Sequence, residues 1–330
     1  MSADPMQTHI AKTLAHTSPL ISCRIDPTGR FVFAGAEDSK VVRWELATGN
    51  KVEFIGHESW VRSLAFSANG ETLITGGHDG KLIWWSAAAD APVPLKTVQG
   101  HEGWIRDFAV SPDDQLLASC GNDLKVKLWS LADGVLVREL LGHERHVYGV
   151  AFHPDGKQLV SGDLTAKFVH WDVETGNQVR SFEIASLSKY DPGFMAYYGG
   201  PFCLEFHADG KRLFAGGITN VSNAFAGVGN PIIVQIDWEQ GKDAVTHLSK
   251  GGVQGTAWGL TCKPEGFLIG ATGGQGGGHL FFWKYDQKDE FHTLNLGNVA
   301  RDLSLHPDGL QIATAHYDKN LRISLMAPKT

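Results

Sequence analysis

Histidine, a hydroxyl side chain and aspartate recur together in this chain, and these are the residue types of a nucleophilic triad. His57, Thr75 and Asp79 form one trio; His101, Ser119 and Asp123 form another at identical spacing. A triad activates one nucleophile in one active site. Here the set recurs 44 residues on, flanked by partial versions: His16 with Asp38, and His143 with Ser161 but Thr165 in place of aspartate. A constellation repeating at a fixed period reads as a packing device, and no enzymatic activity is expected.

Other chemistry-bearing segments reduce in the same way. Gly273-Gly-Gln-Gly-Gly-Gly278 has the composition of a phosphate-cradling loop, yet His279-Leu-Phe-Phe-Trp283 follows it, a strand rather than Lys-Ser/Thr on a helix. It is expected to be a lengthened strand-to-strand loop. Gly227-Val-Gly229 fails the dinucleotide pattern for the same reason, and Ser186-Leu-Ser-Lys189 reads as a solvated loop. The 15 histidines include no H-E-x-x-H, and His78, His146 and His279 stand apart from one another in sequence. Cys23, Cys120, Cys203 and Cys262 are widely spaced and read as small core hydrophobes. No metal and no cofactor are expected.

These residues need a frame. The chain has 330 residues, 42% apolar and 20% charged, with 39 glycines and 10 tryptophans. That mixture excludes disorder and favours short strands joined by tight turns. A net charge of −7 argues against a sequence-indifferent nucleic-acid binder. No stretch approaches the roughly 20 apolar residues that span a bilayer, so no membrane insertion is expected. The opening Met1-Ser-Ala-Asp-Pro lacks a secretory pattern, and a cytoplasmic, reducing setting is the expectation.

One short turn recurs along the chain: Asp26-Pro-Thr-Gly, Ser67-Ala-Asn-Gly, Ser111-Pro-Asp-Asp, His153-Pro-Asp-Gly, His207-Ala-Asp-Gly, Lys263-Pro-Glu-Gly and His306-Pro-Asp-Gly. The intervals are 41, 44, 42, 54, 56 and 43 residues. Alternating strands flank each turn, as in Val61–Phe66 and Glu71–Thr75, and a third strand ends at Trp44, Trp85, Trp129, Trp171 or Trp283. Ile236 and Ser324 take the tryptophan position in the fifth and seventh units, and His16, His57, His101 and His143 stand ten residues before their turns.

Seven units with Gly-His and a terminal tryptophan resemble the WD40-repeat β-propeller family. The resemblance implies an all-β, seven-bladed propeller filling residues 1–330 as one domain. Its blades would lie near 16–55, 56–99, 100–141, 142–185, 197–250, 251–295 and 296–325, with 9–14 completing the last blade as its fourth strand and closing the ring. It also implies structural tetrads: His57, Thr75, Asp79 and Trp85, and His101, Ser119, Asp123 and Trp129. The first unit lacks the hydroxyl at Ala34, the fourth has Thr165 where aspartate is expected, and the last three lack the network. Those last three blades are expected to depend more on apolar packing.

Extra length falls at Ser186–Gly199, as a loop between blades four and five, at Thr219–Pro231, and more weakly at 273–278. The resemblance places all of it on the top face. The residue five before each turn falls near the channel mouth: Ile21, Arg62, Arg106, Tyr148, Phe202, Trp258 and Arg301, with Trp60, Trp104 and His146 two residues earlier. Arginine and large aromatics are the side chains enriched at binding hot spots. The competing reading pairs Arg62 and Arg106 with Glu58, Glu102 or Asp107. The expected function is a non-catalytic scaffold holding a protein or peptide around blades 4–6, through these residues and Tyr190, Tyr197 and Tyr198. Arginines over blades seven, two and three, facing aromatics over blades four to six, favour an acidic-plus-hydrophobic motif. Two alternatives stay open. One is a small-molecule or enzymatic pocket under the 186–199 loop. The other is a structural subunit that grips neighbours by its rim, through Trp238 and the fourth strands.

Overall fold

The structure is a computed structural model that describes residues 3–223 and 228–329. Its strands form seven four-stranded antiparallel sheets and one two-stranded hairpin. Blade 2 shows the plan: Val61–Phe66, Thr72–Gly77, Lys81–Ser86 and Lys96–Gln99, paired in chain order from the channel outwards. The recurrent turn joins the first two strands. Its last residue has positive φ in every unit, supplied by glycine in six, such as Gly70 at 72°, and by Asp114 at 59° in blade 3.

The seventh sheet is composite. Ala300–Leu305, Gln311–His316 and Asn320–Met326 are completed by Thr8–Ala15 from the other end of the chain. Thr8 pairs with Met326 and Ala15 with Asn320, so the ring closes by main-chain hydrogen bonds and Asn320–Met326 is not left as an edge strand. Apolar packing then runs between blades. Phe33 and Phe54 of blade 1 share a core with Val61, Leu64 and Trp85 of blade 2, while Ala313 and Ile323 of blade 7 pack with Leu20, Val32 and Trp44 of blade 1.

The insertions are ordered differently from expectation. Ser188–Asp191 and Ala196–Gly199 pair as a β-hairpin, so the 186–199 segment is not an open loop. In blade 5 the second and third strands lengthen to Arg212–Asn223 and Val228–Asp237. Residues 224–227 of that insertion, with Gly227 of the glycine motif, lie outside the described residues. In blade 6, Phe267–Gly274 and Gly277–Lys284 continue to a tight turn at Gln275–Gly276, which takes the place of the long loop expected at 273–278. The physical reason is common to all three: extra length next to an antiparallel pair satisfies its backbone polar groups most simply by extending the ladder.

Candidate functional site

The histidine networks come first because they hold the loops above each blade. In blade 2, Trp85 Nε1–H donates to Thr75 Oγ1 (2.9 Å), and the Thr75 hydroxyl meets His57 Nε2 (2.8 Å). His57 Nδ1 donates to the Asp79 carboxylate (3.1 Å). Blade 3 repeats the chain through Trp129, Ser119, His101 and Asp123. Serine, histidine and aspartate thus have the connectivity of a nucleophilic triad, without access: Thr75 and Ser119 are fully buried. Burial alone would raise the Asp79 and Asp123 pKa values, but their histidines and backbone N–H donors hold both below the usual carboxylate range.

Blade 4 corrects the expectation at Thr165. His143 Nδ1 reaches Asp163 Oδ2 at 2.9 Å, Ser161 links His143 to Trp171, and Thr165 donates to Asp163. Asp163 occupies the repeat position of Gly77. A Cβ on Gly77 would stand 2.5 Å from Asp79 Oδ1 and 2.7 Å from His57 Nδ1. A side chain from that backbone position therefore projects into the carboxylate's own place, and the two sites are alternative sources of one anion. Blade 7 uses the same position for His316, whose Nε2 meets the Thr314 hydroxyl (2.8 Å) while Nδ1 donates to Asn298 O (3.0 Å). That blade has its own polar network, contrary to expectation. In blade 1, Ala34 offers no hydroxyl, so His16 Nε2 turns to Asp38 and Lys51 donates to Nδ1.

The channel mouth is positioned by β-bulges. In six blades the register between the first two strands slips at one residue: Ile21, Arg62, Arg106, Tyr148, Trp258 and Arg301. A bulged residue leaves the pairing ladder and its side chain is re-aimed. Ile21 turns into the core; the other five and Phe202 are half-buried. Their rings and guanidinium groups form a continuous series. Arg106 lies over Trp104 (4.8 Å) and Tyr148 (4.7 Å); Tyr148 meets Phe202 (5.3 Å), and Phe202 meets Trp258 (4.7 Å). Arg62 and Arg301 both lie over Trp258, at 5.6 and 5.1 Å.

The expected division into an arginine side and an aromatic side gives way to this interleaving, because guanidinium groups on blades 2 and 7 reach the blade 6 indole. Arg62 and Arg106 do not pair with Glu58, Glu102 or Asp107. Arg62 donates to the carbonyls of Ile21 and Arg301, and Arg106 Nε to Asn122 Oδ1. Beside them His78 is sandwiched between Trp60 and the nearly parallel Trp104 ring, 4.1 Å away; burial, then Arg106 and Arg62, push its pKa down to about 4.

The hairpin roofs a cavity of about 290 Å³ lined by Tyr148, Leu164, Tyr197, Tyr198, Phe202, Ile218, Val221 and Trp258. Lys189 donates to Val221 O and Ser188 to Leu164 O, tying the hairpin to blades 5 and 4. Tyr190 and Tyr197 meet as tilted rings 5.0 Å apart and stay exposed. Trp238, the proposed rim anchor, is 6% exposed and packs on His170 and Phe206, so the rim does not present it. Among the described residues no group of three metal-ligating side chains converges, and no helix is long and apolar enough to cross a membrane.

Asp163, Thr314 and His316 were missed because the expected spacing fixed the carboxylate 22 residues after the histidine; a polar residue at the Gly77 position was the available signal.

Comparison with known proteins agrees with this architecture. Residues 8–45, 49–86, 92–130 and 134–172 match the WD domain, G-beta repeat family. The chain is 30% identical over 312 residues to the Arabidopsis thaliana cell division cycle 20.5, cofactor of APC complex, covering 92% of this chain and 55% of that protein. It is 26% identical over 188 residues to Drosophila melanogaster protein groucho, covering 55% of this chain and 26% of groucho. It is 26% identical over 171 residues to the Aspergillus niger nuclear distribution protein nudF, covering 46% and 39%. The chain therefore spans about half or less of these relatives' own lengths. With four matched repeats and seven blades closed into a ring, it belongs to the WD40-repeat β-propellers.

Proposed function

We propose that the protein is a non-catalytic interaction scaffold that binds a peptide or protein partner on its top face, around blades 4–6. The observation that carries this reading is the apolar cavity under the hairpin, which opens beside the arginine-bearing channel mouth. At about 290 Å³ it lies at the lower edge of the size range of small-molecule sites, and one large apolar side chain fills it. The three neighbouring arginines have no carboxylate within salt-bridge distance among the described residues. An apolar anchor flanked by acidic residues satisfies both features. The Arabidopsis relative's description as a cofactor of a complex is consistent with a role in assembly.

A peptide array at two salt concentrations tests this. The expected result is enrichment of acidic segments with a large apolar residue, weakened by salt and lost in Trp258→Ala. Enrichment of lysine- and arginine-rich peptides, or equal loss on mutating the opposite face, overturns it.

A further inference from the structure

Beneath the mouth, the channel encloses a second cavity of about 260 Å³. Apart from the Arg24–Asp302 pair, its charges are sorted by depth. Arg62 and Arg106 stand five residues before their turns, at the collar; Ser63 and Asp107 come next; Glu205 stands two before its turn. At about 3.3 Å of rise per residue, the collar and Glu205 lie roughly 10 Å apart along the strands.

Neither tier has its counter-charge. Arg24 pairs with Asp302 at 2.8 Å, which accounts for one cation and one anion of the lining. Among the described residues, Arg62 and Arg106 contact no carboxylate, and Asp107 and Glu205 contact no basic side chain. Asp107 accepts only backbone N–H groups, from Phe108 and Val150. Glu205 Oε1 accepts from Cys262 N and the Thr261 hydroxyl, both in the next blade. Between the tiers, Ser63 is 4% exposed, lines the cavity, and its hydroxyl has no hydrogen-bond partner. A buried hydroxyl without a partner is costly, and its place beside the cavity marks where a ligand's polar group would sit.

We propose that the channel is a binding site for a small zwitterion, its carboxylate held by Arg62 and Arg106 and its ammonium by Glu205, with Ser63 between them. A singly charged ligand satisfies one tier and leaves the other uncompensated. Burial pushes Asp107 up to about 6 and Glu205 up to about 7, against the lowering effect of their backbone donors and of Arg24, as expected of carboxyls that lack a close cation. The site shares Arg62, Arg106, Phe202 and Trp258 with the proposed partner-binding face, but its ligand lies below the collar and is read by a separate titration.

Calorimetric titration with 5-aminopentanoate and 6-aminohexanoate, against pentanoate, hexanoate and pentylamine, tests the proposal. At least one amino acid should bind tenfold or more tighter than every singly charged analogue. Glu205→Gln keeps an oxygen for Cys262 N and should weaken that binding at least fivefold with an unchanged circular dichroism spectrum. Absence of binding, equal binding of a carboxylate alone, or undiminished affinity in folded Glu205→Gln overturns it. Loss of peptide binding with intact amino-acid binding would sink only the top-face reading.

Discussion

Blades 2–4 and blades 5–7 solve one problem by different means. The first group fixes its loops with a complete Trp–hydroxyl–His–Asp chain in every blade. Blades 5 and 6 replace this with apolar packing, and blade 7 keeps only a shorter link from Thr314 through His316 to Asn298. Phe214, Ile233, Leu268, Phe281 and Trp283 form one core, and Trp283 Nε1–H is satisfied by the Leu248 carbonyl. The polar chain ties each loop to its blade by directional hydrogen bonds. Packing is less directional, and the hairpin and both long strand extensions are found there. Rigid and elaborated halves are therefore chemically distinct.

The largest test of this comparison acts where the halves meet. Deleting residues 1–15 removes the strand paired with Asn320–Met326 and exposes an edge in blade 7. Aggregation or loss of cooperative melting is expected by light scattering and thermal denaturation; an unchanged monomer would show that the ring does not need closing.

Next in size is Asp163→Ala, which leaves buried His143 without its carboxylate and should cost about 1–3 kcal/mol by chemical denaturation. Thr165→Ala should cost about 0.5–1.5 kcal/mol, the worth of a single hydrogen bond. The double change Asp163→Gly with Thr165→Asp rebuilds the blade 2 arrangement and should recover most of the loss. Failure to recover would break the equivalence drawn between the two carboxylate positions.

A smaller test uses pH. Asp79, Asp123 and Asp163 have folded pKa values below their ordinary ones. Their contribution is present above about pH 4 and is lost as pH falls through the folded values. Glu205 is opposite in sign: its folded pKa is raised to about 7, so folding is favoured below about pH 4 and that contribution is lost as pH rises through 7. Glu205→Gln should raise the melting temperature at pH 8 relative to wild type, with a smaller gain at pH 5. An equal gain at both would assign the effect to packing.

Much of this was legible in the sequence. The turn, the terminal tryptophan and the Gly-His steps fix blade number and register, because each is demanded by a local backbone or packing requirement that repeats. Asp163 and His316 were hidden because one carboxylate or imidazole can be delivered from either of two backbone positions, and only side-chain reach decides which. The 186–199 hairpin was hidden because its pairing is with itself. Its tip, Pro192-Gly-Phe-Met195, places Met195 at φ 50°, which turn statistics do not favour for methionine. The interleaving of arginine with aromatic rings depends on how far guanidinium groups cross the channel, and no period in the sequence encodes that distance.

The bulges at the channel mouth carry a further consequence. A side chain on a paired strand position answers to its neighbours across the ladder, whereas Arg62, Arg106, Tyr148, Trp258 and Arg301 lie at slips in the pairing. Frame and display are thereby uncoupled. The same ring of blades can be re-addressed one letter at a time around its opening, in the way a combination lock changes its number without changing its mechanism.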